Sequence, residues 1–139
     1  MRPMHATEPR RTRGAYSHLD NHQLYQGAVQ CVDVDLDFAA RVFRTATKRD
    51  LESLREDFCG TALLSCEWVK RGDGRSAIGI DLDRDVLAWG KQHNLARLGP
   101  LAKRVELLEQ DVRAKVGRKV DAALALNFSY WIFKQRRDL

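Results

Sequence analysis

Two short stretches carry residue types that can do chemistry together. Leu54 to Ala62 reads L-R-E-D-F-C-G-T-A, and Gly79-Ile80-Asp81-Leu82-Asp83 follows about twenty residues later. The first is a turn of small residues between a strand and a helix, where backbone N–H groups lie open to a ligand. The second closes a strand on a carboxylate, a group that accepts hydrogen bonds from a ribose diol. In a parallel sheet both fall at the same end, so the pair predicts a nucleotide-type cofactor site. More polar residues fall at the predicted strand ends: Glu56 and Asp57 at the first, Asp81 and Asp83 at the second, Asp111 at the third and Asn127 at the fourth. All four ends converge on one crevice.

The glycines narrow the choice of cofactor. A dinucleotide fingerprint uses three glycines to seat a pyrophosphate against a helix start, and here only Gly60 is available, with Phe58 in an earlier place. Glu56 and Asp57 oppose a pyrophosphate and suit an ammonium or sulfonium group. S-adenosylmethionine carries both.

These residues need a sheet to hold them. From residue 50 the pattern runs strand, helix, strand, helix, strand, strand, which predicts a Rossmann-like α/β fold, a parallel sheet with helices on both faces. Leu51 to Phe58 is the first strand. Ala62 to Arg71 is a helix with Leu64 and Trp68 on one face, stopped by Gly72-Asp73-Gly74. Ser76 to Leu82 is an apolar strand, and Asp83 with Asp85 opens a helix that continues to Leu98, before Gly99-Pro100. Arg104 to Glu109 is the third strand. Val120 to Leu126 is the fourth, apolar enough to be buried on both faces. Ahead of the sheet, Asp20 and Asn21 cap a helix through Leu24, Tyr25, Ala28 and Val29, and Phe38, Val42, Phe43 and Ala46 build a second, capped by Asp37. Asp33, Asp35 and Asp37 imitate a calcium loop. Phe38 stands where such a loop needs glycine and Arg44 where it needs an acid, so no metal is expected.

The chain has 139 residues, enough for one domain and one modest core. It divides into a flexible basic arm at 1–13, a helical segment at 14–49 and the α/β domain at 50–139. No apolar run approaches the roughly eighteen residues of a membrane span, and the first residues lack a signal peptide's apolar core. Its three cysteines are odd in number and lack zinc spacing, which points to reduced thiols and a cytoplasmic location. The 24 basic and 19 acidic residues are unevenly placed: the two ends, 1–13 and 134–139, hold seven and two of them, leaving 17 of each between. A balanced body of this kind does not predict a nucleic-acid groove.

The motifs resemble those of the class I S-adenosylmethionine-dependent methyltransferases over roughly residues 50–133, with E-D-F-C-G-T-A where that superfamily usually has a pattern like D-L-G-C-G-T-G. The resemblance is closer to a bacterial subgroup with L-R-E-D-F-C-G-T, G-I-D-L-D and N-F-S-Y-W-I-F-K blocks. It implies that S-adenosylmethionine is the cofactor, that Glu56 takes the acidic place at the first strand end, and that Phe58, Cys59, Gly60 and Thr61 belong to the loop along its methionine part. It further implies that Asp81 holds the ribose, that Leu82 and Val112 pack against the adenine, that Asp111 meets its amino group, and that Asn127 and Tyr130 lie near the transferred methyl. Phe58 and Ala62 replace glycines of the family pattern, so the loop is expected to bend differently or bind less tightly. The superfamily has seven strands, and only the first four are legible here. A truncated fold exposes the edge of the fourth strand, which predicts a homodimer covering that edge or a poorly stable fragment.

The function expected from the resemblance is methyl transfer to an acceptor the sequence does not name. The acceptor's nucleophile attacks the sulfonium methyl, and the protein contributes position and electrostatics. Asn127 and Tyr130 are the candidates to assist, His93 reads as structural, and Cys59 reads as a loop residue rather than a nucleophile. Trp68 and Trp89 read as core. Tyr130, Trp131 and Phe133 line a substrate pocket or belong to the core, and Tyr25 and Gln30 belong to a lid or to a packing helix. Two competing readings stand beside this one: a non-catalytic, cofactor-binding or interaction module, and a nicotinamide-dependent oxidoreductase, which the missing glycines disfavour.

Overall fold

The computed structural model describes residues 20–29, 31–126 and 129–138. The arm at 1–13, Gln30, Asn127 and the side chain of Tyr130 lie outside the described set. The chain divides into two compact units, with the boundary along the sequence after Gln30. The first contributes helix α1, Asn21–Val29. Asp20 caps it as expected, accepting from Gln23 N–H at 2.8 Å while Gln23 Oε1 accepts from Asp20 N–H at 3.1 Å.

The second unit opens with α2, Val32–Thr47. It starts well before the predicted position, so Asp37 is inside the helix rather than its cap. The acid-apolar alternation is the helix's own first turns: Val32, Leu36 and Ala39 are buried, while Asp33 and Asp37 both accept from Arg71, at 2.6 and 2.5 Å. Four parallel strands follow, β1 Ser53–Asp57, β2 Ser76–Asp81, β3 Val105–Glu109 and β4 Ala122–Ala125, in the order β3-β2-β1-β4. Helix α3, Leu63–Lys70, joins β1 to β2, and α4, Arg84–His93, with a 3₁₀ segment Leu95–Arg104 joins β2 to β3. The predicted long helix stops at Asn94, and the 3₁₀ segment that replaces its end is itself kinked at Gly99, φ +56°, ahead of Pro100.

Register follows from the two-residue period of a strand. Leu54 lies beside Ala77 and Ala122, and Ala77 beside Val105. This face joins Leu64, Trp68 and Val69 of α3 and Leu36 of α2 in the principal core, each large side chain contributing roughly 1.5–3 kcal/mol relative to exposure. Trp68 is fully buried, donates from Nε1 to Glu52 O at 3.2 Å, and carries the Arg75 guanidinium 4.2 Å above its ring. Trp89 departs from the expected core position: it is half-buried and stacked on His93, with ring centroids 4.1 Å apart.

The opposite face, with Arg55, Asp57, Ile78 and Ile80, meets the 110–121 crossing and residues 129–138: Arg55 donates to Val112 O and Phe133 lies 5.8 Å from the Phe58 ring. Strand β4 corrects another expectation. Ala123 and Ala125 are exposed and Ala122 and Leu124 half-buried, so the strand is covered on one face only, as an edge strand can be. Asp121 ties its start to β1 by accepting from Ser53 N–H and Oγ–H, both at 2.9 Å. No helix among the described residues is long and apolar enough to cross a membrane.

Candidate functional site

The turn after β1 runs from Phe58 to Ala62 and is shaped by three left-handed residues. Phe58, Gly60 and Ala62 take φ of 58°, 53° and 55°. Phe58 and Ala62 therefore adopt the backbone that glycine takes without strain, at a cost of about 1–2 kcal/mol each. The loop's bend does not require the family's glycines. It requires that the surroundings hold two strained residues in place.

Those surroundings come from β2, α4 and the end of α4. Cys59 N–H donates to Ile80 O at 2.9 Å, extending the sheet pairing into the turn, and Ala62 N–H donates to Cys59 O at 2.8 Å. Gly60 N–H donates to Asp81 Oδ2 at 2.8 Å. Asn94, itself buried, donates from Nδ2 to Thr61 O at 2.9 Å. Gly79 and Gly90 are glycines for reasons of space: a Cβ would lie 2.9 Å from Cys59 Sγ at the first and 2.4 Å from Thr61 O at the second. Sequence reasoning missed Asn94 and Gly90. A glycine inside a helical pattern was the available signal for a close approach.

Asp81 stands where the sequence places it, at the carboxyl end of β2. Its Oδ1 accepts from Asp83 N–H at 2.9 Å, so one carboxylate joins the β1–α3 turn to the β2–α4 turn. Asp83 caps α4 by accepting from Asp85 and Val86 N–H at 3.0 and 3.1 Å, as its position predicts. Leu82, between the two acids, is 65% exposed.

The two acids of the turn behave differently from a free negative pair. Glu56 is buried and faces α3, where its Oε2 accepts from Ser65 N–H at 3.0 Å and Ser65 Oγ–H at 2.6 Å. It thereby caps a helix whose own cap position, Ala62, has no side-chain acceptor. Burial pushes its carboxyl up to about 7, against the pull of the Ser65 hydrogen bonds, with Asp81 adding to the rise. Asp57 points to the other sheet face and pairs with Arg55 at 2.6 Å. Cys59 is 1% exposed; burial, then Glu56 and Asp81, push its thiol far above the ordinary range, so it is no nucleophile.

Asp111 lies just past β3, and the neighbouring Gln110 N–H donates to Asp81 O at 3.0 Å. The Asp111 carboxylate is held by Arg113 through Nε at 3.0 Å and Nη2 at 2.6 Å, and these hydrogen bonds lower its ionisation to about 2. Val112 lines a recess of about 290 Å³ with Arg55, Asp57, Phe58, Arg113 and Phe133. The structure thus brings Gly60, Thr61, Asp81 and Leu82 together around one turn, with Asp111 and Val112 at the next strand end. Asn127 lies outside the described residues.

No family model and no curated protein matches the chain. Solved structures do. KedS8, a sugar N-methyltransferase from a Streptoalloteichus species, matches 99% of this chain over 50% of its own, at 18% identity and TM-score 0.66. DesVI from Streptomyces venezuelae matches 86% over 48% of its own, at 22% identity and TM-score 0.65. CalS10, an amino pentose methyltransferase from Micromonospora echinaspora bound to S-adenosylmethionine, matches 84% over 45% of its own, at 19% identity and TM-score 0.63. The chain spans about half the length of these proteins, and over that span it has the Rossmann-like fold of the S-adenosylmethionine-dependent methyltransferases.

Proposed function

We propose that the chain binds S-adenosylmethionine across the carboxyl ends of β1, β2 and β3 and serves methyl transfer from it to an acceptor, in the cytoplasm. One observation carries this reading: a single carboxylate, Asp81, is locked between Gly60 N–H and Asp83 N–H beside a turn held in a strained bend. Its oxygens retain lone pairs for a ribose diol. Leu82, exposed beside it, offers apolar surface to a flat ring. The first backbone N–H groups of α3, at Leu63 and Leu64, have no intrahelical partner by position and suit a carboxylate. Glu56, close to half-ionised near pH 7, and the paired Asp57 leave the turn less acidic than its sequence suggests.

When bound, the cofactor supplies an electrophilic methyl on a sulfonium. The protein's part is to orient it, and the clamp on Thr61 and Gly60 fixes the turn that does so. Asn127 and Tyr130 are the residues proposed to face the acceptor.

Isothermal titration tests this. S-adenosylmethionine and S-adenosylhomocysteine are expected to give saturable heat and NAD none, with Asp81→Ala abolishing the signal. Heat from NAD alone sinks the reading. One alternative reading is a cofactor-binding module without catalysis. Binding of both ligands without transfer of a labelled methyl to any acceptor tried selects that alternative.

A further inference from the structure

Helix α2 carries an apolar stripe that the core does not use. Its inward side chains, Val32, Leu36 and Ala39, belong to the principal core. On the other side Val34, Phe38 and Val42 stand 67%, 57% and 48% exposed. Their spacing of four residues puts them on one line along the helix. Single exposed apolar residues are ordinary on a protein surface, but three aligned large ones form a patch.

The charges on the same helix are segregated. Asp33, Asp35 and Asp37 occupy its first half and Arg41 and Arg44 its second, with Lys48 and Arg49 just beyond. Asp33 and Asp37 already receive Arg71, yet their side chains remain 88% and 74% exposed. Arg41 lies over the Phe38 ring at 5.7 Å. A helix acidic at one end and basic at the other, with apolar residues evenly placed about its centre, is complementary to itself run in reverse.

We propose that α2 is the interface of a homodimer in which a second copy's α2 packs antiparallel against Val34, Phe38 and Val42. With a two-fold axis at Phe38, Val34 faces Val42 of the second copy. The acidic first half of each helix then runs beside the basic second half of the other, Asp37 and Arg41 flanking the same side of the stripe, while the two helix dipoles run in opposition. This explains the V-D-V-D-L-D run, which neither a metal nor the cofactor site uses. Within β4, where the sequence reading places a second copy, the exposed side chains are the small ones of Ala123 and Ala125.

One helix pair makes a small interface, so association is expected to be weak and concentration-dependent. Sedimentation velocity on the full chain, from about 5 to about 500 μM, reads it. Wild type is expected to shift from monomer to dimer across that range. Phe38→Glu is expected to stay monomeric with an unchanged far-ultraviolet circular dichroism spectrum, as suits a residue on the outer face. Arg41→Glu is expected to weaken the dimer about tenfold by setting like charges together, and Asp37→Lys added to it to restore association. A wild-type monomer throughout overturns the proposal. So does a dimer indifferent to Phe38→Glu and Arg41→Glu, which points to another surface such as the β4 edge.

Discussion

Replacing Glu56 by Gln separates the charge of the buried carboxyl from the hydrogen bonds that hold it. In the folded protein burial moves its ionisation from 4.5 to about 7, even though Ser65 donates two hydrogen bonds to it. Below the unfolded value the group is protonated in both states, and its contribution to stability is fully present. As pH rises, the unfolded chain ionises first, and each pH unit up to about 7 then removes about 1.4 kcal/mol of stability. Above that range both states are charged and the loss is complete, about 3 kcal/mol. A Gln side chain keeps an oxygen for Ser65 and carries no charge, so the variant lacks this decline. Urea melts of both proteins at pH 5 and pH 8.5 measure the difference. The variant is expected to gain about 2–3 kcal/mol on wild type between those two values. The other shifted carboxyls, Asp111 and Asp121, are common to both proteins and cancel. Parallel pH profiles for the two proteins, or a variant that loses ground at pH 8.5, refute the reasoning. Either result means that the helix start of α3 holds the charged form more strongly than burial opposes it.

Asn94→Ala removes the buried 2.9 Å bond to Thr61 O; a loss of about 1–3 kcal/mol is expected in urea melts, with faster hydrogen exchange at Gly60. Gly90→Ala improves helix propensity but sets a methyl 2.4 Å from Thr61 O, so thermal melts are expected to show a net loss of about 1–3 kcal/mol. Arg113→Ala removes the hydrogen bonds that hold the Asp111 carboxyl at about 2, and its titration followed by NMR is expected to move up toward 3.8. An unmoved midpoint contradicts the assigned cause.

The strands and the ends that carry the site are legible in the sequence because local punctuation marks them. Gly60 and Thr61 follow one strand, Asp81 closes the next, and Asp83 two residues on caps the helix after it. The loop's backbone is less legible. Left-handed φ is signalled by Gly, Asn or Asp, and at Phe58 and Ala62 it is imposed by contacts to the turn from Asn94, Asp81 and Ile80, which lie 18 to 36 residues away in sequence. Helix α2 hides its start for a related reason. Acids at every second position look like a strand or a cation loop, and only Arg71, from a different helix end, shows why Asp33 and Asp37 share one side. In β4 the apolar run states that the strand meets a core, but its place at the sheet's edge depends on strand order, which no local pattern specifies.

The central claim is that the turn from Phe58 to Ala62, fastened to Asp81, is where S-adenosylmethionine binds. Amide NMR during titration with S-adenosylhomocysteine tests it at the atoms concerned. Saturable shifts are expected at Gly60, Thr61, Leu82 and Asp83, whose N–H groups lie on or beside the Asp81 carboxylate, and these shifts are expected to vanish in Asp81→Ala and to be absent with NAD. Unmoved amides at these four residues, or shifts confined to other parts of the molecule, contradict it.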